Sequence, residues 1–359
     1  MDANYYSRYE PLFGAWRIVK QLGEGSGGSV FVIERQEWGQ TYKSALKAIT
    51  VPGSRNEIKN AMSDGMTKED IAAYYKAVAE DIIREFVLMS KLKGNSHIVS
   101  YEDHMIIEHE DGIGCDILIR MELLTPLVEI TSQSQISENE VTRLGSDLCK
   151  ALELCAKHNI IHRDLKPENI FVSPNGDYKI GDFGIARTTE KTKKVLSRKG
   201  TDMYIAPEIY RGEAYDASVD IYSLGLVMYK LLNQNRLPFM PEYPKPVIPV
   251  DREEALHRRL TGKCIPEPVN GSSILKRIVL KACAYRPENR YRSAAEMRNE
   301  LDMLIYGTVD IGSKNAIHEN LLQRRAVSPK TAAVVRTILA IGGVLRCRDC
   351  WRADCRAYT

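Results

Sequence analysis

The apolar residues of this chain change period part-way along it. From about Ser137 onward they fall mainly at helical spacing, as in Val141, Leu144, Leu148 and Leu152. Between residues 16 and 50 they form short β-branched runs instead, at 29–34 and 45–51, split by glycine-rich or polar turns. A pattern with a helix period does not settle as a strand, so the chain reads as α+β, a strand-rich first third followed by a larger helical part. One long helix interrupts the first third. Thr67 followed by Asp70 resembles a capping box, and the helix is expected over about 68–91. Residues 51–66, with Pro52, Gly53 and Gly65, read as a loop, and residues 1–15 as a short lead-in. Further strands are expected near 98–101, 105–109 and 117–122.

Composition narrows the class. A length of 359 residues allows about two domains. With 44% apolar and 27% charged residues, collagen-like, largely disordered and multi-span membrane chains are excluded. Fifty basic residues against 47 acidic ones give a net charge of +3, which supplies no reason to expect nucleic acid as a partner. The basic excess is concentrated in residues 324–359, which hold eight basic residues against two acidic ones. Cys115, Cys149, Cys155, Cys264 and Cys283 lie in apolar stretches and read as core thiols. The opening Met-Asp-Ala-Asn-Tyr-Tyr lacks the basic and then apolar pattern of a leader, so the body is expected to be cytoplasmic.

Three segments carry chemistry. Residues 22–30 contain Gly23, Gly25, Gly28 and Val30 in a Gly-x-Gly-x-x-Gly-x-Val pattern. Glycines let a backbone close over phosphate oxygens and offer N–H donors, although such turns are common in plain hairpins. Strand-like flanks on both sides favour a flap between strands over a dinucleotide loop, which would open into a helix. Next, Lys47 shares a strand face with Ala45 and Ile49. It is either an edge lysine facing water or a cation that requires an anionic partner. Glu85 is the one acid in the inward stripe Ile82, Glu85, Phe86, Met89 and Leu92, and is either that partner or a boundary glutamate. Finally, residues 162–169 read His-Arg-Asp-Leu-Lys-Pro-Glu-Asn, with Asp182-Phe183-Gly184 downstream. Phosphoryl transfer needs positioned charge more than covalent help: a cation on the phosphates, metal ions bridging them, and a carboxylate to orient the acceptor. Asp164 suits the carboxylate role, and Asn169 and Asp182 are hard oxygen donors of the kind Mg²⁺ prefers.

With Ala206-Pro207-Glu208, Asp220 in Asp-Ile-Tyr-Ser-Leu-Gly and Arg290 in Arg-Pro-Glu-Asn-Arg, the motif set resembles the eukaryotic-type protein kinase family over about residues 16–306. The phrase Asp-Phe-Gly-Ile-Ala-Arg is most similar to bacterial serine/threonine members. The resemblance implies a bilobal kinase-like fold, with an N-lobe at 16–120, a hinge at 121–126, a C-lobe at 127–306 and a tail at 307–359. It implies transfer of the ATP γ-phosphate to protein Ser/Thr hydroxyls, with Mg²⁺ as metal and Mn²⁺ as an alternative. By the same resemblance Lys47 would contact the α- and β-phosphates and pair with Glu85, although the two lie further apart in sequence than is usual in the family. Asp164 would be the catalytic base beside Lys166, and Asn169 and Asp182 the metal ligands. Met121 would be the gatekeeper, and backbone groups of Glu122 and Leu124 would hold the adenine edge. Leu22, Val30 and Ala45 would roof the adenine over Phe171, with Gly23, Gly25 and Gly28 along the phosphates. Met89, Tyr101, His162 and Phe183 would form the regulatory stack, Glu208 and Arg290 a buried ion pair, and Thr201 would position substrate.

Rival classes are a pseudokinase scaffold, against which Lys47, Asp164, Asn169 and Asp182 all stand, and a small-molecule kinase of the aminoglycoside type. The latter lacks the Lys166-Pro167 and Ala206-Pro207-Glu208 context. Arg163 beside Asp164 calls for an anion, and the basic segment after Asp182 carries Thr188, Thr189, Thr192 and Ser197 as autophosphorylation candidates, with a dimer for transfer in trans. The segment's basic charge would alternatively attract acidic substrates. In the tail, 332–345 is an apolar run of 14 residues interrupted by Arg336, short of the roughly 20 that span a bilayer. A truncated membrane anchor is the reading kept for it. Cys347, Cys350 and Cys355 make an incomplete zinc set.

Overall fold

The computed structural model describes residues 1–25, 28–182 and 201–307, apart from the side chains at 25, 85–90, 201 and 202. It divides into a compact unit, Met1–Ile305, and a second, Tyr306–Thr359, of which only residues 306 and 307 are described. The candidate phosphosites, the apolar run 332–345, the tail cysteines, Phe183 and the side chains of Glu85, Met89 and Thr201 lie outside the described residues.

The chain starts with a helix, α1 (Ala3–Ser7), and continues into three antiparallel strands, β1 (Arg17–Gly25), β2 (Gly28–Glu37) and β3 (Gln40–Val51). Helices α2 (Arg55–Ser63) and α3 (Lys68–Lys91) follow, then β4 (Tyr101–Glu108) and β5 (Cys115–Met121). The strands form one sheet in the order β1-β2-β3-β5-β4. Alternation along β3 and β5 sends Val51, Ile117 and Ile119 to one face, where Ile71, Tyr75, Ala79 and Ile82 of α3 cover them. Leu46, Ala48 and Leu118 point to the other face. The α3 start is capped as expected: the Thr67 N–H donates to the Asp70 carboxylate, and the Asp70 N–H to the Thr67 hydroxyl, both at 3.2 Å.

Three sequence expectations are corrected. Residues 1–15 are more than a lead-in, because Tyr6, Leu12 and Trp16 are buried against Phe31, Ile33, Leu46 and Ala48 on the second face of the sheet. A five-residue helix is too short to announce itself by periodicity, and it is stable because that apolar face needs a cover. Residues 51–66 contain α2 rather than a loop alone. None of its residues is fully buried, but Ile58 and Ala61, three apart, rest on the α3 cluster. The strand expected from 98 begins at Tyr101, while Ile98 makes a single bridge to Ile180.

Beyond Met121 the chain forms β6 (Thr125–Pro126), α4 (Leu127–Gln133) and α5 (Glu138–Lys157), the last opened by a capping box between Ser137 and Glu140. Two short strands, β7 (Ile170–Val172) and β8 (Tyr178–Ile180), complete a small sheet in the order β6-β7-β8. The remaining helices are α6 (Pro207–Tyr210), α7 (Ser218–Leu232), α8 (Pro249–Leu260), α9 (Ser273–Ala282) and α10 (Ala294–Tyr306). Helix α7 is apolar nearly all round. Burial of every residue in it except Ser218 and Lys230 makes it the axis on which α5 and α9 pack. The Arg290 guanidinium reaches this core and pairs with both Glu208 oxygens at 2.6 and 2.8 Å, with almost no exposure on either side.

Candidate active site

The segment between α5 and β7 is mostly irregular backbone and largely shielded from water, so its polar groups need partners. Asp220, buried at the start of α7, provides two. Its carboxylate accepts the N–H of His162 at 2.7 Å and of Arg163 at 2.8 Å. Burial pushes the Asp220 carboxyl up from its ordinary value, against the pull of His162 and these two N–H groups. Arg163 (φ +66°) and Asp182 (φ +51°) both occupy the left-handed region. Such conformations cost about 1–3 kcal/mol each and persist only where neighbours over-determine them. The fully buried His162 bridges the two: Nε2 donates to the Gly181 carbonyl at 3.0 Å, and Nδ1 accepts from the Asp164 N–H at 3.3 Å.

On this frame the Asp164 carboxylate is held by two donors on one oxygen, Lys166 Nζ at 2.9 Å and Asn169 Nδ2 at 3.0 Å. Asn169 Nδ2 also donates to the Asp164 carbonyl at 2.8 Å. With both donor contacts on its nitrogen, the Asn169 amide keeps its oxygen as the atom for a cation. Across the cleft, Lys47 Nζ lies 2.7 Å from Asp182 Oδ1, a pair separated by 135 positions in sequence. Burial pushes the Asp182 carboxyl up, but Lys47, with His162 and Lys166, outweighs it and holds the group below its ordinary value. Asp182 is therefore anionic at neutral pH.

A cavity of about 240 Å³ opens beside this charge cluster. Leu22, Gly23, Val30, Ala45 and, at the end of β5, Met121 line it from the first sheet, and Glu122 and Leu124 from the connection after β5. Phe171 lines the opposite wall, and Lys47 and Asp182 stand at the cavity too. The sequence reading did not single out Val99, Ile119 or Gly181, and it held Leu123 and Pro126 only as part of the hinge 121–126 and Glu168 only as part of the 162–169 motif; all six also line it. Their signal was weak, because nearly all are ordinary apolar or small residues that only the fold gathers. Gly181 is there for space, since a Cβ would come within 2.8 Å of the Phe171 ring and 2.9 Å of Val99. Gly28 stands opposite Gly25 at the closed end of the β1–β2 hairpin. Its φ of +110° and the Ala48 carbonyl, 2.3 Å from where a Cβ would sit, both exclude a side chain. The Glu122 N–H donates to Ser100, and its carboxylate clamps Lys179 at 2.8 Å, so only the carbonyl of Glu122 is left for a ligand edge.

Among the described residues, no helix is long and apolar enough to cross a membrane, and no group of three His, Cys, Asp or Glu side chains could hold a metal ion. A metal here would draw on Asp182 and Asn169 and complete its shell elsewhere, as Mg²⁺ does with substrate phosphates.

A family model described as the protein kinase domain matches residues 16–301. Serine/threonine-protein kinase PknB of Mycolicibacterium smegmatis is 34% identical over 204 residues, 55% of this chain and 30% of the relative. Serine/threonine-protein kinase Pkn1 of Myxococcus xanthus is 28% identical over 340 residues, 88% of this chain and 42% of the relative. The probable serine/threonine-protein kinase nek3 of Dictyostelium discoideum is 29% identical over 283 residues, 76% of this chain and 22% of the relative. The chain thus spans less than half the length of the curated relatives it matches. A match that starts ahead of the glycine-rich turn and ends in the last helix takes in both the sheet and the helical core, and the chain belongs to the protein kinase domain family.

Proposed function

We propose that this chain transfers the γ-phosphate of ATP to serine and threonine hydroxyls of proteins. The observation that carries the reading is that Lys47 and Asp182, 135 positions apart, pair at one cavity, while Gly181, next to Asp182, donates its N–H to the Asn169 carbonyl at 2.9 Å and so ties the pair to the loop that carries Asp164 and Asn169. The apolar walls suit an adenine ring, and Lys47 would meet the α- and β-phosphates at the charged end. Asp164, tethered through one oxygen to Lys166 and Asn169, would accept the proton of the attacking hydroxyl. Lys166 is placed to offset negative charge as the phosphoryl group moves. Asp182 and the Asn169 oxygen suit a hard cation, Mg²⁺ or Mn²⁺, which when bound neutralises phosphate charge. Glu85 remains the proposed second partner of Lys47, and Gly23, Gly25 and Gly28 the proposed backbone cover over the phosphates.

Autophosphorylation within 188–197 is part of the proposal. What supports it is Arg163, whose buried Nε has no hydrogen-bond partner among the described residues and whose guanidinium lies over Tyr215 at 5.5 Å. An arriving phosphate would satisfy it. The test is one experiment. Purified chain is incubated with Mg²⁺, labelled ATP and a serine/threonine peptide array, then mapped by mass spectrometry, with Asp164→Asn in parallel. The expected result is phosphoserine and phosphothreonine on peptides and within 188–197, lowered about 10²–10⁴-fold in Asp164→Asn. Equal transfer by Asp164→Asn, or phosphate only on small-molecule acceptors, would refute the function. Full peptide transfer by chain unmodified at 188–197 would refute the autophosphorylation part alone.

A further inference from the structure

A second and larger cavity, about 1460 Å³, lies among α6, α7 and α8. Glu168, four residues after Asp164, lines both this groove and the smaller cavity, so the groove runs up to the loop that carries the proposed base. A protein substrate whose hydroxyl reaches Asp164 therefore has neighbouring residues in or beside the groove.

The charges in it are not equally engaged. Arg211 is held by both Glu213 oxygens at 2.6 and 2.7 Å, and Arg236 donates to the Lys245 carbonyl at 2.8 Å. Lys230 differs. It sits in the last turn of α7, half-buried, and its ammonium makes no hydrogen bond or ion pair with a described residue. Burial pushes its ammonium below the ordinary lysine value, the field of exposed Arg252 adds to that, and the field of Glu168 opposes it. Glu168 itself is exposed and stops short of pairing with it. A half-buried ammonium gains most from an anion that arrives and excludes water around it.

Resting on the kinase reading above, we infer that Lys230 selects protein substrates with an aspartate or glutamate within a few residues of the acceptor serine or threonine. Lys230 is a specificity residue here and takes no part in the transfer itself. Glu168 and Glu253 in the same groove would favour a basic side chain instead, and the sign of the measured preference decides between them.

The test uses the full chain and matched peptides in which one flanking residue of a serine is aspartate, alanine or lysine in turn, each scored by kcat/KM. At the best position the aspartate peptide is expected to exceed its lysine counterpart by roughly tenfold, equivalent to about 1.4 kcal/mol. Lys230→Arg keeps the preference, Lys230→Gln removes it and Lys230→Glu reverses it. A wild-type preference for lysine, or none, overturns the inference with no variant needed, as does an aspartate preference that survives Lys230→Gln. Transfer to no peptide at all sinks the kinase reading and this inference with it, whereas transfer without acid preference sinks this inference alone.

Discussion

Removing the Asp116 carboxylate should loosen the first helix from the sheet. The side chain is fully buried on the face opposite α3 and accepts four hydrogen bonds, from Thr50 at 2.6 Å, Tyr9 at 2.5 Å, Tyr5 at 3.0 Å and Arg8 at 3.2 Å. His109 Nε2 lies 3.5 Å away. Bonds to a charged acceptor contribute about 1.5–3 kcal/mol each, but Tyr5, Tyr9 and Arg8 lie near the surface and can turn to water. Thr50 keeps its contact with Tyr6 at 2.8 Å. Asp116→Ala should therefore cost about 3–5 kcal/mol, the range for breaking a buried charged pair, and Asp116→Asn about half of that. Urea unfolding followed by fluorescence reports the stability, and hydrogen exchange over residues 3–16 reports the docking. Because α1 packs on β2 and β3, which also carry Val30 and Lys47, the KM for ATP should rise in both variants. Burial pushes the Asp116 carboxyl up, yet the Thr50, Tyr9 and Tyr5 hydroxyls and the His109 field outweigh it and hold the group below its ordinary 3.8. A carboxyl depressed in the folded state stabilises above the unfolded value and loses that contribution as pH falls through the folded one. The gap between wild type and Asp116→Asn should then be full at neutral pH and shrink below about pH 4. An Asp116→Ala protein within about 0.5 kcal/mol of wild type, with unchanged exchange at 3–16, would refute this account of how the segment is held.

Two further outcomes follow from close packing. Gly181→Ala forces a Cβ against Phe171 and Val99 and should tilt the ring into the smaller cavity, raising the Kd for ATP about threefold to tenfold by calorimetry, in keeping with an overpacking cost near 1 kcal/mol. An unchanged Kd would mean that the ring yields away from the cavity. Arg290→Ala leaves the Glu208 carboxylate buried without its partner and should lower stability by about 3–5 kcal/mol in urea unfolding. A midpoint near wild type would show that Glu208 is relieved some other way.

The parts of the site that were legible in the sequence are those that sit close together along the chain. The catalytic loop needs a base, a cation and an amide within six residues, and Asp164, Lys166 and Asn169 meet through contacts of two and five positions. The period change at about Ser137 likewise separated sheet from helices, because residues facing one core repeat at the spacing of their own element. The α1 segment was not legible. Its aromatic residues are spaced like any surface stretch, and what buries them is a sheet face made from three other strands. Helix α2 escaped for a related reason, since only Ile58 and Ala61 meet the core and two apolar residues make no stripe. Lys230 was passed over in an otherwise apolar helix, where its significance depends on which face of α7 the groove exposes.

By itself the sequence determined the order of chemical parts: a glycine turn between strands, a lysine in an apolar run, a loop of base and amide, and a second carboxylate beyond it. These follow from local rules, because turn geometry, strand alternation and helix period act over a few residues. Tertiary structure alone decided which distant groups share a charge. Lys47 meets Asp182 across 135 positions, Asp116 gathers Tyr5, Arg8 and Tyr9 from more than a hundred positions away, and Lys230, in the field of Glu168, pairs with none of the described residues. Electrostatic partnership depends on distance and burial in space, and neither is written in the spacing along a chain.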